Sequence, residues 1–300
     1  QDEYNCLYCI VDMHAITVRQ DPAKLRANSR NLLVQYIAAG LDPKKSIIYY
    51  QSHVSGHAEL GWILNCFTYM GELNRMTQFK DKSSRHSDNI NAGLYTYPSL
   101  MAADILLFKT DLVPIGADQK QHLELTRDIA DRFNTIYGDV FTIPEPYIGE
   151  VGAKIMSLSE PNKKMSKSTE DKNATIFLMD DADTIIRKFK RAVTDNIAMV
   201  KYDPINQPGI SNLMSIYSAI TGDNYEQIEN EFSSHGYGDF KVRVAEAVIS
   251  ELSPIQQKYN ELIKDKAYVD EIIKDNANRA NYLAQKTLRK VQKKVGFPVK

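Results

Sequence analysis

This 300-residue chain has three cysteines, one tryptophan and no excess of either charge. With 37 basic against 38 acidic residues there is no overall polycation, so any nucleic-acid surface must be a local patch. No apolar run approaches membrane-spanning length and no signal-peptide pattern opens the chain, which predicts a soluble, cytoplasmic protein. Cys6 and Cys9 form a C-x-x-C inside an apolar run that reads as a strand. Positions three apart on a strand point to opposite faces, so these thiols cannot share one metal. No second Cys/His pair with zinc spacing follows, and inert buried thiols are expected. Repeats and low-complexity segments are absent, as are the glycines of a P-loop or a G-x-G-x-x-G turn. An initial methionine is also absent: Gln1-Asp2-Glu3 leads within four residues into a strand, so a preceding segment is expected in the complete protein.

What is present begins with Tyr4 to Val11, nearly continuous in β-favouring residues, as in a parallel strand covered on both faces. Asp12-Met13-His14 follows, where open α/β sheets place their ligands. Asp21 as N-cap, Pro22 in the first turn and Gly40 as stop frame a helix. A strand at Ile47–Tyr50 and a helix at Gly56–Tyr69 complete a β-α-β-α alternation. Helices are further predicted over residues 72–82 and 91–108, then a strand at 112–115 and a helix ending at Tyr137 before Gly138. Beyond residue 178 the pattern is helical: 182–193, 210–221, 225–232, 240–262 and 268–295. The expected architecture is α/β: a Rossmann-like parallel-sheet domain over residues 1–178, then an all-helical domain over 179–300.

Four places carry candidate chemistry. A strand over 154–158 leads into Lys164-Met165-Ser166-Lys167-Ser168, a loop of ammonium groups and small hydroxyls with little apolar mass to bury. Such a loop either holds phosphate oxygens or is a solvated basic turn. Tyr97, Met101 and Asp104, three and four apart on one helical face, either line a pocket for an aromatic ligand bearing an N–H or O–H, or are core residues beside a capping acid. Gly116-Ala117-Asp118-Gln119 opens a helix, where free N–H groups favour anions. From Ile273 to Lys300 eight basic residues face Asp275 alone, a local excess suited to RNA.

Five collinear stretches extend this reading: Asp12 to Thr17, Met76 to Lys80, Tyr97 to Leu107, Gly116 to His122, and Lys164 to Ser168. Together they resemble the bacterial tryptophanyl-tRNA synthetases, of class I, whose second signature the lysine pentapeptide matches. The resemblance implies ATP-dependent activation of L-tryptophan to the adenylate and transfer to tRNA(Trp), by a homodimer using ATP and Mg2+. It implies Asp104 as acceptor of the indole N–H with Met101 on the ring, Tyr97 and Gln119 at the amino group, Gln78 at the carboxylate and His14 near the pocket. It places Asp118 at the ATP ribose, backbone near Ile155 and Met165 at adenine, and Ser166 and Ser168 in the ATP loop. Lys82, Lys164 and Lys167 would hold the triphosphate, and the helical half the anticodon. The first class I signature is not found before Tyr4, so a molecule of only these residues is expected to activate tryptophan poorly. The competing expectations are a tyrosyl-tRNA synthetase, a non-catalytic RNA-binding relative, and a nucleotidylyltransferase of similar architecture.

Overall fold

The computed structural model describes residues 1–76, 90–147, 154–167 and 169–298. Its chain forms two compact units: Gln1–Gly149 together with Leu262–Lys300, and Glu150–Glu261. The division expected after residue 178 is therefore corrected in two places. Residues 150–178 belong with the helices that follow them, and the last 39 residues, Leu262–Lys300, belong with the strands.

In the first unit, β1 (Leu7–Ile10) pairs in parallel with β2 (Ile47–Tyr50), Ile10 opposite Tyr50. Between them lie a short helix, α1 (Asp12–Ala15), and the crossover helix α2 (Pro22–Ala38). The expected cap is there: the Asp21 side chain accepts from the Lys24 amide, with Pro22 at the first helical position. Helix α3 (Gly56–Asn65) stops short of the expected Tyr69, and α4 (Met70–Asn74) overlaps the start of the helix expected over 72–82, the rest of which from residue 77 lies outside the described residues. α5 (Ala92–Leu106) starts at Asn91, whose side chain accepts from the Leu94 amide, and keeps Pro98 within it. β3 (Leu112–Pro114) pairs in parallel with β4 (Glu145–Tyr147) across the crossover α6 (Lys120–Tyr137), which Gly138 ends at a φ of 81°. Strand β4, containing a proline, was not expected from the sequence. Cys6 and Cys9, expected to be buried, are partly so, and Cys66 is exposed.

The second unit contains α7 (Ala182–Arg191), α8 (Pro208–Thr221), α9 (Tyr225–Glu231) and most of α10 (Tyr237–Leu262), packed around Phe189, Leu213, Met214 and Phe240. The strand expected over 154–158 is only an isolated bridge between Met156 and Lys164.

The last helix, α11 (Lys266–Val295), packs into the first unit's core through Ala280, Ala284, Leu288 and Val291. Buried Asn276 accepts from the Ile48 amide at 2.9 Å, giving the free edge of β2 a partner. Three of the basic side chains singled out for RNA are used inside this unit. Arg279 donates to the Pro43 carbonyl, Lys290 to that of Asp139 and Lys294 to that of Tyr137.

Candidate active site

Parallel pairing sets the carboxyl ends of β1 and β2 side by side, with Gln51 directly after β2 and Asp12 one residue beyond β1. Asp12 accepts from both the backbone amide and the hydroxyl of Ser52, tying the two ends together. His14 and Gln51 stand on either side of this tie and both reach Asp104 on α5.

Asp104 is nearly buried, its side chain 13% exposed. Its Oδ1 accepts from Gln51 Nε2 at 2.7 Å and pairs with His57 Nδ1 at 2.7 Å, while Oδ2 pairs with His14 Nε2 at 2.8 Å. Burial disfavours the charge, but the hydrogen bonds from His14 and His57, and the attraction of these rings for it, outweigh burial and hold the carboxyl below its ordinary value. An ionised carboxylate has about four lone-pair sites. Three are used, which leaves an accepting position on Oδ2, beside His14.

Fully buried His57 is itself held: its Nε2 lies 3.1 Å from the Tyr49 hydroxyl, and the two rings stack. If Nδ1 donates to Asp104, Nε2 is the acceptor and the Tyr49 hydroxyl donates to it. Burial, and the neighbouring Cys9 and Asp104, push the Tyr49 phenol up, so it stays protonated.

Tyr97 lies on the same helix as Met101 and Asp104. Its hydroxyl is 2.8 Å from His122 Nε2, the rings stack, and burial pushes the phenol up to about 12. The His14 ring stands edge-on to Tyr97, with centroids 6.1 Å apart. The structure thus brings together His14, Tyr97 and Asp104 from the expected set, with Met101 partly buried beside them. It adds Gln51, His57, Tyr49 and His122. Gln119 donates to Asp118 Oδ2 at 2.7 Å in the turn before α6.

In the second unit the lysine loop is one side of a tight reversal. The Ser157 amide donates to the Lys163 carbonyl at 2.8 Å and the Met165 amide to the Ile155 carbonyl at 3.1 Å. Those two groups of Ile155 and Met165 are therefore engaged with each other, and an adenine contact would fall to their other backbone atoms. Ile155 and Met165 pack on the core, which turns Lys164, Ser166 and Lys167 outward. The Thr175 hydroxyl fixes the Ser166 carbonyl at 2.8 Å, and buried Lys188 fixes the Thr175 carbonyl at 2.8 Å. Ser157, Lys164, Ser166 and Thr169 line a cavity of about 220 Å³ together with Lys163 and Glu160, which pair with each other at 2.8 Å and leave Lys164 and the hydroxyls as its donors. Such donors suit phosphate oxygens. Gln78, Lys82 and Ser168 lie outside the described residues.

A buried carboxylate on α5, bonded by residues just past the ends of two parallel strands, and a cationic signature loop fit a class I aminoacyl-tRNA synthetase. The family model for class I tRNA synthetases of the tryptophan and tyrosine group matches residues 1–253. Within that group, the chain belongs to the tryptophanyl-tRNA synthetase family. It is 57% identical over 297 residues to the tryptophan–tRNA ligase of Clostridium tetani, covering 99% of this chain and 88% of that protein. It is 56% identical to that of Clostridium acetobutylicum, over 99% of this chain and 89% of the relative. The crystal structure of the Campylobacter jejuni tryptophanyl-tRNA synthetase complexed with ADP and tryptophan superimposes with a TM-score of 0.86 at 35% identity. That match covers 99% of this chain and 91% of the other.

Proposed function

We propose that this protein is a tryptophan–tRNA ligase, which joins L-tryptophan to ATP as tryptophanyl-adenylate and then passes the acyl group to tRNA(Trp). The observation that carries this reading is the 57% identity to a tryptophan–tRNA ligase over nearly the whole chain. The geometry agrees with it. An indole N–H donates only, so its natural partner is an ionised acceptor, and the remaining accepting position on Asp104 Oδ2 is of that kind. A site built around one such bond penalises ligands that lack the donor.

In this reading Met101 packs on the indole, while Tyr97 and Gln119 hold the amino group. Gln78 holds the carboxylate, and His14 orients Asp104 from the pocket side. Gln119 must then exchange its bond to Asp118, whose carboxylate turns to the ribose of ATP. Lys82, Lys164 and Lys167 hold the triphosphate, with Ser166 and Ser168 beside them. The tryptophan carboxylate attacks the α-phosphorus and pyrophosphate leaves. Lysines on a short loop neutralise charge as it develops on the leaving group. Mg2+ bound through the triphosphate would add to the charge neutralisation that these lysines provide. The terminal ribose hydroxyl of the tRNA then takes the acyl group from the adenylate and AMP departs. The helices of the second unit are read as the anticodon-binding part, and the working form as a cytoplasmic homodimer. Among the described residues no helix is long and apolar enough to cross a membrane.

The test is charging of tRNA(Trp) with labelled tryptophan in the presence of ATP. Formation of tryptophanyl-tRNA supports the reading, and charging of tRNA(Tyr) with tyrosine instead would replace it.

A further inference from the structure

We propose that His57 and Gln51 are positioning residues for tryptophan selection, buttressing Asp104 from behind so that its Oδ2 is presented to the indole N–H. The proposal rests on the tryptophan reading and assigns the work to side chains that touch only the carboxylate.

Both residues are fully buried, and both bond the same oxygen, Oδ1, at 2.7 Å. Two donors on one oxygen pin the plane of the carboxylate and leave its other oxygen to His14 and, in the tryptophan reading, to the ligand. Each donor is in turn fixed by the fold. Gln51 is the first residue after β2, and His57 sits in the first turn of α3, its far nitrogen held by Tyr49 in the middle of β2. With Tyr49 donating to Nε2, His57 is locked with its proton on Nδ1, aimed at Asp104. The sheet thus fixes where the His57 ring stands between Tyr49 and Asp104. Gln51 cannot be reversed without aiming its carbonyl at a carboxylate oxygen. In the orientation it adopts, Gln51 Oε1 is buried with no hydrogen-bond partner among the described residues. Such a group is costly to bury unpaired, so the donation to Asp104 dominates its placement. Neither residue contributes charge or surface to catalysis, which separates them from His14, on the pocket-side oxygen.

The experiment is tryptophan-dependent ATP–pyrophosphate exchange, run in parallel with benzothienylalanine, in which sulfur replaces the indole N–H. Its readout is the ratio of kcat/KM for the two amino acids in the unaltered protein and in His57→Leu, His57→Asn and Gln51→Leu. His57→Leu and Gln51→Leu are expected to cut the preference for tryptophan by about tenfold, equivalent to about 1.4 kcal/mol. Both should leave the analogue within about threefold of its original value, because only an N–H donor depends on where Oδ2 points. His57→Asn keeps a donor near Nδ1 and is expected to recover most of the preference. If His57→Leu fails to fold, Gln51→Leu and His57→Asn carry the test. Equal losses for both amino acids, or an unchanged ratio, would overturn the proposal and leave the tryptophan reading standing. No exchange by the unaltered protein with either amino acid would instead overturn the tryptophan reading, and the proposal with it.

Discussion

Replacing Asp104 by Asn changes almost no volume but removes one acceptor from the centre of the network. The carboxylate takes three bonds: two on Oδ1, from Gln51 and His57, and one on Oδ2, from His14. An amide has one oxygen, and the two buried donors require it to stand where Oδ1 stood. Its NH2 group then occupies the Oδ2 position. His14 can adapt by moving its proton to the other ring nitrogen, but an indole N–H has no acceptor form. Tryptophan therefore loses a hydrogen bond to a charged group, about 1.5–3 kcal/mol, or about 10- to 100-fold in kcat/KM. The assay is exchange velocity against tryptophan concentration, with a thermal melt to show that the variant folds. A kcat/KM within twofold of the unaltered protein, in a folded variant, would refute the reasoning.

Lys164→Ala and Lys167→Ala should each lower kcat by roughly 10²–10³, the range for losing one donor to transition-state charge, with little change in the KM for tryptophan; unchanged kcat in both would contradict the phosphate role. Lys188→Met should destabilise the protein by about 3–5 kcal/mol, because it leaves Asp180 and the Thr175 carbonyl facing an apolar side chain where an ammonium lay at 2.6 and 2.8 Å. Urea unfolding reads that change, and an unaltered midpoint would refute it. Because the Asp104 carboxyl lies below its ordinary value, its contribution is present above the unfolded carboxylate value of about 3.9 and is lost as pH falls through a lower one. Tryptophan kcat/KM should thus show no carboxylate titration between about pH 5 and 8 that disappears in Asp104→Asn.

Much of the fold was legible because its signals are local. Asp21 with Pro22, Asn91 and Gly138 begin or end helices through their own neighbours, and the alternation of strands with helices implies parallel pairing. Tyr97, Met101 and Asp104 share a face by helical spacing alone. What escaped was set by distant partners. Gln51 and His57 meet Asp104 across 53 and 47 residues, and no local pattern joins them. A usable signal did exist for Gln51, since it follows the end of β2 as Asp12 nearly follows that of β1, and the same rule for ligand placement applies to both. His57 keeps helical spacing with Leu60 and Leu64 and so reads as core, which it is, with a polar task added. The amphipathic pattern of α11 says that one face is buried but not against what. Its basic residues suggested RNA, whereas Arg279, Lys290 and Lys294 serve carbonyls of the first unit.

The most direct test of the central claim is amino-acid-dependent ATP–pyrophosphate exchange with tryptophan, with tyrosine and with neither. Exchange with tryptophan alone is the predicted result; exchange with tyrosine at comparable efficiency would contradict it.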